Sequence, residues 1–224
     1  MVSSSSSVKQ RTSKIDTVSR GKSAPVAGED SRTRILDAAV ALITKRGEAN
    51  VTMAHIAKAA RLSRQAVYLH FADRADLMVA LVRHVDERRG IPQEIQKIAA
   101  APSGVAAILA MVSLQARGNP VIWPAARAMD AVRRTDAAAE RSWQDRLENR
   151  LTGCRGIVRR LATEGNLREG LDPEAAADLL WSLTSLRTWE DLVLERGWTA
   201  QQYERRMGDL LLRALTRTGV SERG

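Results

Sequence analysis

The sequence predicts an all-α chain, and three observations carry that prediction. Glycine and proline together number 20 of 224 residues, too few to punctuate many short strands. Apolar residues recur three and four apart through most of the chain, and no stretch alternates with the period of a strand. Eight aromatic residues, five of them tryptophan, leave the core mostly to leucine, alanine, valine and isoleucine. With 44% hydrophobic and 27% charged residues, the chain is apolar enough and long enough to bury a core without a disulfide or metal staple.

Residues 1–30 are the exception. They are rich in serine and basic residues and poor in large apolar side chains, so a disordered basic tail is expected. It reads either as a solvated leader or as an arm that touches nucleic-acid backbone. Order is expected from Asp30 or Ser31, either of which can cap a helix. Ile35, Ala38, Ala39, Leu42 and Ile43 form that helix's apolar stripe, and Gly47 supplies its stop. Thr52 caps a second helix with Met53, Ile56, Ala57 and Ala60 inward. Ser63 caps a short third helix through about Leu69. Asp73 caps a fourth, with Asp76 three residues on in the manner of a capping box, running through Leu77, Leu81 and Val85 to Gly90-Ile91-Pro92. Further helices are predicted at 93–100, 104–116, 121–133, 136–164, 172–195 and 199–217. The breaks fall at Pro102, Gly118-Asn119-Pro120, Gly165 to Gly170, and Gly197.

Composition excludes several kinds of chemistry. One cysteine, Cys154, rules out an internal disulfide and a cysteine-rich zinc site, and is expected to be an inert buried thiol. His55, His70 and His84 are too scattered for an obvious metal cluster. No cofactor is expected. Phosphate-binding loops, dinucleotide fingerprints, His-Glu metal motifs and recognisable nucleophiles are missing, so no enzyme is expected. No apolar run of signal-peptide length opens the chain. Residues 98–116 carry no charge, but only 105–112 are strongly apolar, too short to span a bilayer. A soluble cytoplasmic protein without a membrane partner is expected.

The net charge of +9 is unevenly placed. Residues 31–90 carry +5, and the longer stretch 91–224 carries only +2. A basic patch is the footprint of a polyanion partner. The patch coincides with Thr52 to Phe71, where two short helices are joined by Ala60-Arg61-Leu62-Ser63. That turn is too short for a crossover, so the helices must meet at a steep angle, as in a helix-turn-helix. Arg64 and Gln65 stand near the start of the second helix, the end that reaches base edges. Arginine grips guanine O6 and N7, and glutamine grips adenine N6 and N7. Ser63, Tyr68 and His70 carry donors suited to phosphates, Arg74 marks a second phosphate site and Thr52 a third. Ile56, Ala57, Leu62, Val67 and Phe71 are expected to pack.

These residues resemble the TetR family of bacterial transcription regulators over Arg32 to about Leu81. The likeness includes Ile35-Leu36-Asp37-Ala38-Ala39, Leu42, Gly47, Thr52, Ile56-Ala57, Ser63, Tyr68-Leu69-His70-Phe71, Arg74 and Leu77. Two positions depart from the family pattern. Arg61 stands where the family usually has glycine, and a side chain in a left-handed turn costs about 1 kcal/mol. A phosphate contact by Arg61 would offset that strain. Arg74 replaces the usual lysine and keeps the charge.

The resemblance implies a three-helix helix-turn-helix DNA-binding domain over 31–80, then a helical effector-binding and dimerisation domain over 81–220. It implies a homodimer through the last two helices, here 172–195 and 199–217, acting on a pseudo-palindromic operator. Leu179, Leu180, Leu183 and Leu186, with Trp181 and Trp189, make 172–195 apolar on more than one face, as a helix between its own core and a partner requires. A cavity for a small apolar or aromatic effector is expected among Met111, Leu114, Trp123, Met129, Trp143 and Trp181, with the fourth helix linking effector to DNA unit. The sequence also admits a DNA-binding architectural or accessory factor without an effector.

Overall fold

The computed structural model describes residues 27–46 and 51–217. They form ten helices: α1 (Ala27–Arg46), α2 (Met53–Ala59), α3 (Arg64–His70), α4 (Arg74–Arg88), α5 (Ile91–Ala99), α6 (Gly104–Arg133), α7 (Ala137–Thr163), α8 (Pro173–Leu183), α9 (Leu186–Trp189) and α10 (Ala200–Leu215). A π-helical turn, Glu190–Glu195, continues α9. Among the described residues there is no strand, only an isolated bridge between Leu167 and Thr216.

Two hydrophobic cores hold the molecule together. The first packs α1–α4 with the C-terminal half of α6 and the start of α7: Ile35, Val67, Phe71, Leu77 and Leu81 are fully buried beside Ala125, Ala128 and Met129. The second packs the N-terminal half of α6 against α7, α8, α9 and α10 around Ile108, Leu161, Leu180, Trp189 and Tyr203. Thus α6 runs through both cores. It is long and apolar enough by composition to cross a membrane, and here α4, α7 and α10 pack around it. At its N-terminus Gly104 lies against α7, where a Cβ would meet Leu161 Cδ2 at 2.8 Å and the Leu161 backbone nitrogen at 3.0 Å. Glu164 accepts from the Gly104 N–H at 3.0 Å, so the end of α7 caps the start of α6.

Polar contacts fix α4 to its neighbours. Asp37 of α1 accepts from Arg88 of α4 at 2.5 Å and meets His84 Nε2 at 2.7 Å. The Arg88 guanidinium, helped by His84 and opposed by partial burial, holds the Asp37 carboxyl below its usual range. Arg146 of α7 grips Asp86 of α4 with both terminal nitrogens.

The structure corrects three sequence-based boundaries. Helix α1 begins at Ala27, ahead of Asp30 and Ser31, and Asp30 falls in its first turn, where the helix dipole favours a carboxylate. Residues 1–26 and Gly47 lie outside the described residues. The break expected at Gly118-Asn119-Pro120 does not occur, because α6 continues through Pro120 and Pro124. Each proline deletes one rung of the ladder, and packing on both sides of the gap holds the helix in line. The segment 172–195 is not one helix. Thr184 turns its hydroxyl back to the Leu180 carbonyl at 2.5 Å, and Ser185 caps the new helix α9 by accepting from Thr188 N–H at 3.0 Å. Such local hydroxyl bonds compete with helix continuation.

Candidate nucleic-acid interface and effector core

The recognition unit is built from caps. Thr52 Oγ1 accepts from His55 N–H at 3.3 Å, and His55 Nδ1 accepts in return from Thr52 N–H at 3.4 Å, a capping box. Ser63 Oγ accepts from Ala66 N–H at 3.0 Å and starts α3, leaving its own O–H proton to donate elsewhere. Asp73 Oδ1 accepts from Asp76 N–H at 2.9 Å and starts α4. The Asp76 side chain returns the favour one residue upstream of the box the sequence suggests, accepting from Ala72 N–H at 3.0 Å.

Between α2 and α3 the chain turns at Arg61, whose φ of 55° is the only positive value at a non-glycine residue among those described. The turn keeps the left-handed geometry that glycine would supply. Leu62 N–H donates to the Ala57 carbonyl at 3.0 Å and Arg61 N–H to the Lys58 carbonyl at 3.2 Å, the two bonds of a Schellman motif. Arg34 of α1 donates to the Ala60 carbonyl at 2.7 Å and anchors the turn. Arg32 stacks over the ring of the fully buried Phe71 at 4.6 Å.

This scaffold presents one face. Thr52, Arg61, Ser63, Arg64, Gln65 and Tyr68 are exposed, while His70 and Arg74 are half-buried. Ile56, Ala57 and Val67 are buried behind them, and Leu62 packs partly buried against the same core. Leu69 stands out as a large apolar side chain that is 82% exposed. Its place off the stripe of Val67 and Phe71 is visible in the sequence, but a leucine carries no polar group to mark it as a contact. Arg74 lines a cleft of about 460 Å³ with Asp73, Ala75 and the α6–α7 corner at Ala131, Val132, Thr135 and Asp136.

The six residues expected around an effector fall on two sides. Met129 is buried in the first core, where Trp143 packs with Arg133 over its ring at 5.4 Å. Met111 is buried in the second core, against which Trp123 and Trp181 pack. Leu114 is half-buried on α6. The second core also holds polar residues that the sequence analysis did not single out. Gln115 Nε2 donates to the Thr184 carbonyl at 2.7 Å, and Tyr203 O–H donates to Gln115 Oε1 at 3.3 Å. Arg150 donates to the carbonyls of Trp181 at 2.7 Å and Thr184 at 3.3 Å, and stacks over Trp181 at 4.6 Å. Burial lowers the Arg150 pKa from the usual arginine value and pushes the Cys154 thiol up to about 11. Among the described residues no group of three or more His, Cys, Asp or Glu could hold a metal.

The expected dimer helices carry apolar side chains outward. Leu179 on α8, Leu194 on the π turn and Leu210 on α10 are each between 42% and 47% exposed.

Comparison with known proteins follows the same division. Residues 35–81 match the family model described as bacterial regulatory proteins, tetR family. Over 59 residues the chain is 39% identical to the HTH-type transcriptional regulator TtgR of Pseudomonas putida, a match spanning 26% of this chain and 28% of that protein. Over 49 residues it is 41% identical to the HTH-type transcriptional regulator AcrR of Shigella flexneri, spanning 22% and 23%. The structural likeness is longer. The repressor SmeT of the Stenotrophomonas maltophilia multidrug efflux pump SmeDEF superposes with a TM-score of 0.66 at 25% identity, covering 88% of this chain and 96% of that one. A transcriptional regulator from Saccharomonospora viridis, solved with choline, shares the fold with a TM-score of 0.72 at 18% identity, covering 84% and 98%. Residues 35–81 thus carry a recognition unit of the tetR family, and the chain as a whole shares the fold of solved regulators such as SmeT.

Proposed function

We propose that this chain is an effector-responsive transcriptional regulator, acting as a cytoplasmic repressor. The observation that carries the reading is the exposed face of α3, where Arg64, Gln65 and Tyr68 stand clear of a rigid, fully capped scaffold. Arg64 and Gln65 read base edges; Thr52, Arg61, Ser63, Tyr68, His70 and Arg74 hold phosphates; and Leu69 offers an apolar surface suited to a thymine methyl. A homodimer through α8, the π turn and α10 covers Leu179, Leu194 and Leu210, and sets two α3 helices about 34 Å apart on a pseudo-palindromic operator.

The second core is the place for an effector. Solved relatives include SmeT with triclosan and a Bacillus subtilis regulator FadR with stearoyl-CoA, so this architecture accommodates ligands of unlike size. An effector that binds better to the DNA-incompetent spacing releases the operator. The path runs through α6, which enters both cores and packs on α4.

The test is selection of genomic fragments by the purified protein, then footprinting at physiological salt. An enriched palindrome supports the reading. Binding without a consensus, lost steeply as salt rises, reports backbone charge alone and favours an architectural factor. Arg64→Ala is expected to cost about 1–3 kcal/mol on the operator and to relax one base position. Equal weakening on every sequence would remove Arg64 from base readout.

A further inference from the structure

Along α6 and in the second core lie three buried polar atoms that the packing does not use, and all are donors. Asn119 is nine-tenths buried, and its Nδ2 has no hydrogen-bond partner among the described residues. The indole Nε1 atoms of Trp123 and Trp189 are buried in the same condition. Native structures leave few such groups dry, and each carries a desolvation cost.

The α6 donors share a helix face with Gln115, which reaches the same corner as the half-buried cation Arg150. Gln115, Asn119 and Trp123 follow one another at four-residue spacing on one face of α6. Gln115 and Arg150 donate to the same Thr184 carbonyl, at 2.7 and 3.3 Å. The α6 face, the end of α8 and Arg150 of α7 therefore converge, and Trp189 of α9 is buried in the same core. Among the described residues Arg150 meets no anion there. Its terminal nitrogens reach only the Trp181 carbonyl and the carbonyl and hydroxyl of Thr184. Of the charged or titratable groups that act on it, Arg146 is itself cationic, and Cys154 and Tyr203 are neutral near pH 7, burial raising their pKa values further to about 11 and about 12. Capping the α8 C-terminus explains part of this placement, because helix carbonyls favour a cation. It does not explain three buried donors without a protein partner among the described residues.

The helices that form the walls here depart from regular α geometry. Pro120 and Pro124 remove two rungs of α6 beside Asn119 and Trp123. On the facing side, α9 runs into the π turn Glu190–Glu195, a distortion that often marks a functional site.

The geometry points to an effector subsite between α6, α7 and the α8–α9 corner that takes an amphipathic organic acid. The oxyanion sits against Arg150 and the N–H groups of Asn119 and the tryptophans, and the ring or chain lies among the apolar side chains. A cation would face Arg150, and a neutral molecule would satisfy the donors without the charge. The assignment rests on the proposed function for its regulatory role, while binding itself is measured without DNA.

Calorimetry with the full chain and three matched probes tests it: 4-tert-butylbenzoate, 4-tert-butylbenzyl alcohol and protonated 4-tert-butylbenzylamine. The benzoate is expected to bind at least about tenfold more tightly than the alcohol, the gain of one charge-assisted hydrogen bond. The amine should give no saturable heat. Arg150→Met is expected to bring the acid down to the alcohol's affinity. Because Arg150 also caps α8, Arg150→Lys and Asn119→Leu serve as second variants. The lysine should keep the preference for acid, and the leucine should weaken acid binding several-fold. Equal affinity for acid and alcohol overturns the assignment, as does a preference that survives Arg150→Met. Binding of none of the three at millimolar concentration also overturns it, and means that ordered water satisfies the donors. An operator without acid binding sinks this subsite alone; acid binding without an operator sinks the proposed function alone.

Discussion

Beneath the recognition unit, Ile35, Phe71, Leu77 and Leu81 are fully buried, and the polar residues nearby, Thr52, Ser63 and Asp73, are spent on starting helices. Between α6 and α10 the pattern differs: Gln115, Asn119, Arg150 and Tyr203 sit among the apolar side chains, and the helices around them lose rungs at Pro120 and Pro124 or widen into a π turn. The first arrangement gives one geometry, as the proposed base readout requires, because a small displacement of Arg64 or Gln65 would miss base edges. The second leaves donors unpartnered and helices distorted, which suits the proposed sensor, because a ligand can only shift states that are already within a few kcal/mol.

Mutation can break this contrast or sharpen it. The largest effect is expected from Phe71→Ala, which empties the centre of the first core and costs about 3–5 kcal/mol. Thermal unfolding should show it, and a loss under about 1 kcal/mol would mean that this core also yields. Asn119→Leu, at a position that is also buried, should do the opposite. Deleting a buried amide N–H without a protein partner is expected to stabilise by about 1–3 kcal/mol, read as a rise in the denaturant midpoint at unchanged slope. A clear destabilisation would show that Asn119 has a partner and that the second core is as satisfied as the first.

Arg61→Gly separates stability from function within the recognition unit. Relief of the left-handed turn is expected to add about 1 kcal/mol, while affinity for every DNA sequence falls with loss of one phosphate contact. A stability gain with unchanged DNA affinity would leave the arginine unexplained. The smallest effect concerns Asp37. Its pKa is depressed in the folded state, chiefly by Arg88, so its stabilisation is present above the unfolded carboxylate pKa and is lost as pH falls through the lower folded value. The carboxyl is partly exposed, so the contribution stays below about 1 kcal/mol. The difference between wild type and Asp37→Asn should shrink to nothing as pH falls below about 4; a constant difference would assign the effect to packing.

Legibility followed the same division. Thr52, Ser63 and Asp73 cap the helices that the sequence assigns to them, because capping is a local interaction written within four residues. The left-handed turn at Arg61 was also readable, from resemblance and not from composition. The straight run of α6 was not readable, since Gly118-Asn119-Pro120 is a local stop and only packing from distant helices overrides it. Nor was the break at Thr184-Ser185, where Gln115 and Arg150, 69 and 34 residues upstream, take up the carbonyls that the helix releases. Arg150 itself looks like one more surface arginine until the fold closes around it.

The passage of α6 through both cores has a consequence for how this protein can be taken apart. Ala125, Ala128 and Met129 belong to the same buried cluster as Phe71 and Leu81. A fragment cut after α4 would lose that lid and open its core to water, so the reading head is not a detachable module. Recombination between relatives that exchanges heads must carry the second half of α6 along with them, and heating should melt head and body in a single cooperative step.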